Sequence, residues 1–555
     1  MGSPPSPNRR PNILFILADD HASKAISCYG HNINHTPNLD RIAANGVRFN
    51  HCYVTNSICT PSRASILTGT YNHTNDVLTL YSKINNRQPN VAKQLRAYGD
   101  YQTAMIGKWH LGEGPGAEPT GFDYWSVLPE QGEYWDPEFI EPPKSKASWG
   151  QGTHNEPGYA TDIITNKTLD FIKNRDPSRP FFVMCHHKAP HRSWECDHKH
   201  RDLYTDPIRV PDTFTDDYKN RARAAKVAKN KIADDMTFFD LGLVQPEGGI
   251  GTNPATADVG EKEGPEYWSR NVRRVPFPAT DVEVQKMRPL IDKETGEKFT
   301  FKTRSELAEF KFQRYMQRYL RTIQSIDDNV GRLLDYLETD RELHKNTVVI
   351  YSSDQGFFLG EHGWFDKRFM YEESFQMPFL IQYPALINGQ RQGSVCNHLL
   401  SNVDFAPTFL DLAGLRTPTY MQGISFGALL RAEEVVEAEG SGKEIHHGQW
   451  SQDVVYHRYW MHRDAVHEAY AHYGCRDQRY KLIYWYNEGF DIEGTREGGQ
   501  DKEWELFDTD QDPLELFNVY ADPHYREIVA RMTRLLEEKM EEIGDLIVHP
   551  RAKLE

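Results

Sequence analysis

Three things are scarce in this chain, and each scarcity removes a class of protein. Positive charge is in deficit: 64 Lys and Arg against 80 Asp and Glu leave a net charge of -16. Nucleic acid and anionic membrane surfaces would be repelled at long range and are not expected as general partners. Cysteine is sparse and odd in number, seven in all (28, 52, 59, 185, 196, 396 and 475), with no Cys-x-x-Cys pair. Neither a zinc ribbon nor a dense disulfide framework is expected, and at least one thiol is left over. Long apolar runs are also missing. The run at 13–18, after a polar, proline-rich start, is far too short for an export signal or a membrane span, which makes a cytoplasmic location the expectation.

What is present is a chain of 555 residues with 38% hydrophobic and 12% aromatic content, enough for one large core and a smaller satellite domain. Four short apolar runs pass straight into polar chemistry. Residues 13–18 lead into Asp19-Asp20, and residues 102–106 into Gly107-Lys108-Trp109-His110. Residues 181–185 lead into His186-His187-Lys188-Ala189-Pro190-His191, and residues 347–351 into Ser352-Ser353-Asp354-Gln355-Gly356. Such runs, alternating with helical patterns, read as buried strands of an α/β fold with a large, mostly parallel sheet. The carboxyl ends of parallel strands share one edge, so four sequence-distant clusters can converge there.

Apolar residues from Phe312 to Leu337 recur at alternating fours and threes and predict a long amphipathic helix packed on the sheet. Residues 212–300, charged and punctuated by Gly and Pro, read as a surface excursion or lid. The acidic stretch 433–440 reads as a boundary between a domain at 12–430 and a smaller α+β domain at 431–555, with 1–11 disordered. His457, His462, His467 and His472, spaced by five, suit no single helix or strand face and are expected as scattered surface or pocket residues. Trp109, Trp364 and Trp450 are expected as packing, with a role beside a substrate ring as the alternative.

The segment Cys59-Thr60-Pro61-Ser62-Arg63 is the most informative in the chain. Pro61 suits the first turn of a helix running toward Gly69, which puts Cys59 at the helix N-terminus. Unpaired N–H groups there favour an anion, and Arg63 adds a rigid fork of donors one turn on. Asp19, Asp20, Asp354 and Gln355 offer three carboxylates and an amide oxygen, a hard set that suits Ca²⁺ first, with Mg²⁺ or Mn²⁺ as alternatives. Arg63, Lys108, His110 and His191 add the cations and proton donors that a bound dianion or sulfate monoester requires.

Over nearly its whole length the chain resembles the type I sulfatases of the alkaline phosphatase superfamily. The likeness is carried by Cys59 to Arg63, by Gly107-Lys108-Trp109-His110-Leu111-Gly112, by Ala189-Pro190-His191 and by Ser353-Asp354-Gln355-Gly356. It continues through Gly360-Glu361-His362-Gly363 to Lys367, then Arg479-Tyr480-Lys481-Leu482-Ile483, Glu505-Leu506-Phe507-Asp508 and Asp512-Pro513. The resemblance implies an alkaline phosphatase-like sheet sandwiched by helices, and oxidation of Cys59 to formylglycine by a formylglycine-generating enzyme or equivalent. It implies a metal on Asp19, Asp20, Asp354 and Gln355, with Arg63 and Lys108 fixing the aldehyde hydrate. His191 and Lys367 would hold the sulfate and protonate the leaving alcohol, and His110 would take the proton of the second hydroxyl. The family often carries Asn or His where this chain has Gln355. The implied activity is hydrolysis of sulfate monoesters. The alternatives are a phosphonate monoester or phosphodiester hydrolase of the same superfamily, or a non-catalytic anion-binding protein with unmodified Cys59. The acidic surface points to a small aryl or alkyl sulfate as substrate, with a sugar sulfate next.

Overall fold

The computed structural model describes residues 10–142, 152–244, 277–432, 434–438, 442–448 and 450–550; the start expected to be disordered lies, up to residue 9, outside the described residues. The four apolar runs are strands of one sheet. In chain order its main strands are β1 (Asn12–Ala18), β2 (Val47–Tyr53), β3 (Gln102–Lys108), β4 (Tyr124–Leu128), β5 (Phe181–His186), β6 (Thr347–Ser353), β7 (Gln376–Gln382) and β8 (Ser394–Cys396). Their spatial order is β8-β2-β7-β6-β1-β5-β3-β4. Of these eight, only β7 runs antiparallel to its neighbours. Ala18 pairs with Ser353, Leu17 with His186 and Gly107 with His186. The four chemistry-bearing strands β6, β1, β5 and β3 are therefore consecutive, and their polar ends leave the sheet at one edge.

Both faces of the sheet are covered, which is why β1 reads as an unbroken apolar run instead of an alternation. Ile13, Phe15 and Leu17 pack with Ala64, Ile66 and Leu67 of helix α1 (Cys59–Thr68) and with Phe405 and Phe409. Leu14, Ile16 and Ala18 pack on the other face with Ile164 of α2 (Ala160–Lys173) and Ile326, Val330 and Leu333 of α3 (Arg304–Glu338). The expected amphipathic helix is α3. Its N-cap Thr303 accepts from the Glu306 N–H at 3.1 Å. Its first turns leave the sheet and run under the site loops, where the Tyr319 hydroxyl donates to the Asp20 carbonyl at 2.8 Å and the Tyr315 hydroxyl to the Phe358 carbonyl at 2.6 Å.

Two segments differ from their reading in the sequence. Within 212–300, residues 245–276 lie outside the described residues, but 212–244 is packed and wedged in, with Tyr218, Arg221, Ile232, Met236 and Phe238 buried. Tyr218 stacks on Trp364 at 5.4 Å, the Phe365 N–H donates to the Asn230 carbonyl at 2.8 Å and the Lys229 N–H to the His467 carbonyl at 2.6 Å. In the acidic stretch read as a domain boundary, β9 (Val435–Ala438) and β10 (Gly442–Ile445) pair antiparallel, and β10 extends the main sheet beside β8. Backbone pairing at a sheet edge tolerates an exposed acidic side chain such as Glu437.

After this pair, β11 (Val455–Tyr459), β12 (His472–Arg476), β13 (Tyr480–Trp485) and β14 (Glu503–Asp508) make a separate antiparallel sheet in sequential order. Met532, Leu536 and Met540 of α4 (Arg526–Ile543) pack against Tyr473, Leu482 and Leu506 of it. Among the described residues no helix is long and apolar enough to cross a membrane.

Gly107 lies one residue before the end of β3 with φ +96°, and a Cβ there would fall 2.0 Å from the His186 carbonyl oxygen. Gly107→Ala is expected to cost about 3 kcal/mol or more, because strain and a backbone clash add. Gly114, at φ +95° with nothing within 4 Å of a built Cβ, carries strain alone, so Gly114→Ala should lower the calorimetric melting midpoint distinctly less.

Candidate active site

Helix α1 starts at Cys59 from an extended Ile58 (φ -143°, ψ 150°) and ends at the left-handed Gly69 (φ 67°), and all ten of its residues are buried. A helix so fully enclosed must be held by polar contacts as well as packing. Asn72 Nδ2 donates to the Pro61 carbonyl at 2.8 Å, Asn402 Nδ2 to Ser62 Oγ at 3.0 Å, and Ser62 Oγ to the Asp354 carbonyl. Arg63 ties three strand ends together. Its Nε and Nη2 reach Asp354 Oδ2 at 3.0 and 2.9 Å, its Nη1 donates to the Lys108 carbonyl at 2.8 Å, and its Nη2 lies 3.8 Å from Asp19 Oδ1.

Asp19 and Asp20 follow β1, Asp354 and Gln355 follow β6, and all four are buried. Oxygens of Asp19, Asp20 and Asp354 lie within 4.8 Å of one another. Burial pushes Asp20 up to about 7 and Asp354 up to about 6, the nearby carboxylates adding to it against Lys367 and Arg63. Burial works the same way on Asp19, but Lys108 first, then His191, Arg63 and Lys367, outweigh it and hold that carboxyl well below its usual range. Asp19 Oδ1, Asp20 Oδ2 and Gln355 Oε1 accept no hydrogen bond, while Gln355 Nε2 donates to Asp20 and Asp354. Turned over, that amide adds an oxygen to three crowded carboxylates. Buried oxygens without donors, in an all-oxygen set, fit a hard divalent cation.

Cationic groups close the other side. Lys367 Nζ donates to Asp20 Oδ1 and lies 3.2 Å from Cys59 Sγ. Lys108 Nζ contacts Asp19 and Gln131 Oε1. His191 donates from Nδ1 to the Arg192 carbonyl at 2.6 Å, which leaves Nε2 3.8 Å from Asp20 Oδ2. His110 meets Thr60 Oγ1 at 3.3 Å and Gln131 at 3.2 Å. Burial holds His110 and His191 well below the usual histidine range, with Lys108 next in effect. Burial also pushes the Cys59 thiol up to about 12, Asp19 adding and Lys367 and Lys108 opposing. At neutral pH the encoded thiol is thus a poor nucleophile.

All ten residues singled out in the sequence (Asp19, Asp20, Cys59, Arg63, Lys108, His110, His191, Asp354, Gln355 and Lys367) meet here. Others were missed. Gln131, on the loop after β4, bridges Lys108 and His110 but belongs to no motif. Lys188 is buried with its ammonium 4.7 Å over the Tyr134 ring, and burial lowers it to about 8. The loop around Lys367 is fastened from outside: Asp366 pairs with Arg192 at 2.8 Å and with His467 at 3.4 Å, and Arg368 Nη1 donates to the Tyr459 hydroxyl at 3.3 Å.

The four evenly spaced histidines are all buried, not on the surface. His467 also bonds Asp464 at 2.9 Å, and His457 Nε2 meets Ser57 Oγ at 2.8 Å and stacks on His472 at 5.3 Å. Their spacing misled because His457 and His472 sit on neighbouring antiparallel strands while His462 and His467 lie in the connection. Trp109 and Trp364 are buried packing residues, and Trp450 donates to the Leu399 carbonyl at 3.3 Å.

A model of the Sulfatase family matches residues 11–415, and one of the N-sulphoglucosamine sulphohydrolase C-terminal region matches residues 360–542. The N-acetylglucosamine-6-O-sulfatase of Bacteroides thetaiotaomicron is 40% identical over 544 residues, 97% of this chain and 87% of that one. The N-acetylglucosamine-6-sulfatase of Capra hircus is 26% identical over 550 residues, 94% of this chain and 80% of that one. A solved structure of a protein in complex with its substrate, D-glucosamine-2-N, 6-O-disulfate, superposes with a TM-score of 0.78 at 39% identity, covering 97% of this chain and 98% of that chain.

Adding Ca²⁺ to chelator-stripped protein is expected to raise the melting midpoint, by the equivalent of about 2.7 kcal/mol at a hundredfold excess over the dissociation constant. Asp20→Asn should shrink that rise. A midpoint that moves with none of Ca²⁺, Mg²⁺ or Mn²⁺ would remove the metal from this site.

Proposed function

The chain belongs to the sulfatase family and is a sulfuric ester hydrolase, and from that premise we propose that it removes the 6-O-sulfate from a glucosamine residue bearing an N-acetyl or N-sulfate group. Likeness to the N-acetylglucosamine-6-O-sulfatase along almost the entire chain supports this reading, because it takes in the C-terminal sheet that fastens the Lys367 loop. The expectation of a small aryl or alkyl sulfate gives way to a sulfated sugar. A net charge of -16 is spread over a surface screened beyond about 8 Å, so the cations inside the pocket decide what binds. A phosphonate monoester or phosphodiester substrate is not favoured, since the near-full-length relatives are sulfatases, and a silent anion binder gives way to an enzyme.

The site's chemistry follows from its charges. Asp19, Asp20, Asp354 and Gln355 would hold a divalent ion, Ca²⁺ by first choice, which when bound screens the sulfate oxygens and lowers the pKa of a hydroxyl beside it. Residue 59, once oxidised to an aldehyde and hydrated, supplies two hydroxyls, one to take up the sulfuryl group and one to expel it. Arg63 and Lys108 hold residue 59 and its charge in place from fixed positions. Lys367, 3.2 Å from Cys59 Sγ, binds a sulfate oxygen and, with His191, delivers a proton to the leaving sugar oxygen. His110, kept neutral, takes the proton of the second hydroxyl. The observation that carries this reading is the meeting of Cys59 at the start of α1 with Lys367 and three crowded carboxylates at one sheet edge.

Purified protein should release inorganic sulfate from 6-O-sulfo-N-acetylglucosamine, and its intact mass, read with residue 59 as the unhydrated aldehyde, should be lighter than the encoded chain because CH2–SH becomes CH=O, with sulfur and two hydrogens lost and one oxygen gained. Cys59→Ala should melt as the parent does and release none. Faster turnover of an aryl sulfate, or of an aryl phosphonate, than of the sugar sulfate would overturn the substrate assignment.

A further inference from the structure

Gln131 lies outside every motif that carries the family resemblance, yet it touches two groups of the site. Its Oε1 accepts from Lys108 Nζ, and its Nε2 lies 3.2 Å from His110 Nε2. An ammonium carries donors only, so the amide oxygen must be the atom facing Lys108. The amide nitrogen, also a donor only, then faces His110, and the ring nitrogen it meets must be the bare one. The ring proton therefore sits on Nδ1, where Thr60 Oγ1 at 3.3 Å can accept it. The opposite tautomer, or a charged imidazolium, would set N–H against N–H.

We infer that Gln131 is a positioning residue: by reading the charge of Lys108 it fixes His110 in its neutral Nδ1–H form and leaves Nε2 as the basic nitrogen. Burial and the Lys108 charge act in the same direction on the ring. A further consequence rests on the proposed role of His110. For Nε2 to take the proton released by the hydroxyl of residue 59, the amide must first withdraw its N–H from the single lone pair of that nitrogen, and once the proton is on Nε2 the amide turns its oxygen to the new N–H and lets go of Lys108. Loss of that proton restores both contacts, so proton uptake at His110 and the grip on Lys108 exclude each other.

Neutron diffraction from the holoenzyme exchanged into heavy water reads the proton directly, with no turnover needed. Deuterium on His110 Nδ1 and none on Nε2 is expected, and Gln131→Glu, whose carboxylate accepts from Nε2, should move it to Nε2. Deuterium on Nε2 in the parent chain overturns the inference. Kinetics test the linked reading separately. Gln131→Met, of similar length without donor or acceptor, should lower kcat about tenfold with little change in KM. Gln131→Glu should move the acidic limb of the pH profile upward, because a carboxylate beside the ring favours its charged form. A limb that stays in place while deuterium sits on Nδ1 would remove His110 from the proton path and leave the tautomer standing.

Discussion

The structure is organised around charges that have been taken out of water. Asp19, Asp20 and Asp354 are crowded together at the edge of the sheet with almost no exposure, and three like charges in a low dielectric repel strongly. Arg63, Lys108 and Lys367 offset that repulsion, and each comes from a different element. Removing one partner of such a buried pair typically costs about 3–5 kcal/mol, because the remaining charge is stranded. The rest of the fold keeps the partners in place. A parallel sheet covered on both faces sets the strand ends in register, α1 delivers Arg63, and α3 supports the loops from below. The protein's cations do not saturate the carboxylate oxygens, and that shortfall makes the site receptive to a metal.

Much of this was legible because the sheet writes itself plainly into the sequence. A strand buried on both faces is apolar throughout, so residues 13–18 and 347–351 stand out, and the acids that follow them mark where the polypeptide meets the edge. The Cys59 helix was legible for a similar reason: proline, arginine and a terminal glycine each demand a position. What stayed hidden was packing without a period. Residues 212–244 bury Tyr218, Arg221 and Phe238 through ring stacking and single backbone hydrogen bonds, which leave no repeating pattern. The acidic stretch read as a boundary, and its strand pairing stayed hidden because edge strands tolerate charge. Gln131 was missed, and the hold of His467 on Asp366 was not legible, because the importance of both lies in what they touch, and those partners are distant in sequence.

The C-terminal sheet is more than an appendage to the site. Asp366, beside Lys367, is gripped by Arg192 and His467, Arg368 reaches Tyr459, and Ser57, two residues before Cys59, is held by His457. Both sides of the pocket, the nucleophile's approach and the lysine opposite, therefore take part of their fastening from one C-terminal unit, through His457, Tyr459 and His467. The likeness to sulfatases of glucosamine runs through both parts, as expected if the two work as one piece.

The contact between Ser57 and His457 joins residues 400 positions apart. Ribosomes add roughly 5–20 residues per second, so the growing polypeptide carries Cys59 for about 20–80 s before the histidine that secures its neighbourhood has been made. The oxidation proposed for residue 59 would have to reach it before the chain closes, since in the folded protein every residue of the helix is buried. On the proposed chemistry, the timing of folding as well as the fold itself would bear on how many copies carry the aldehyde.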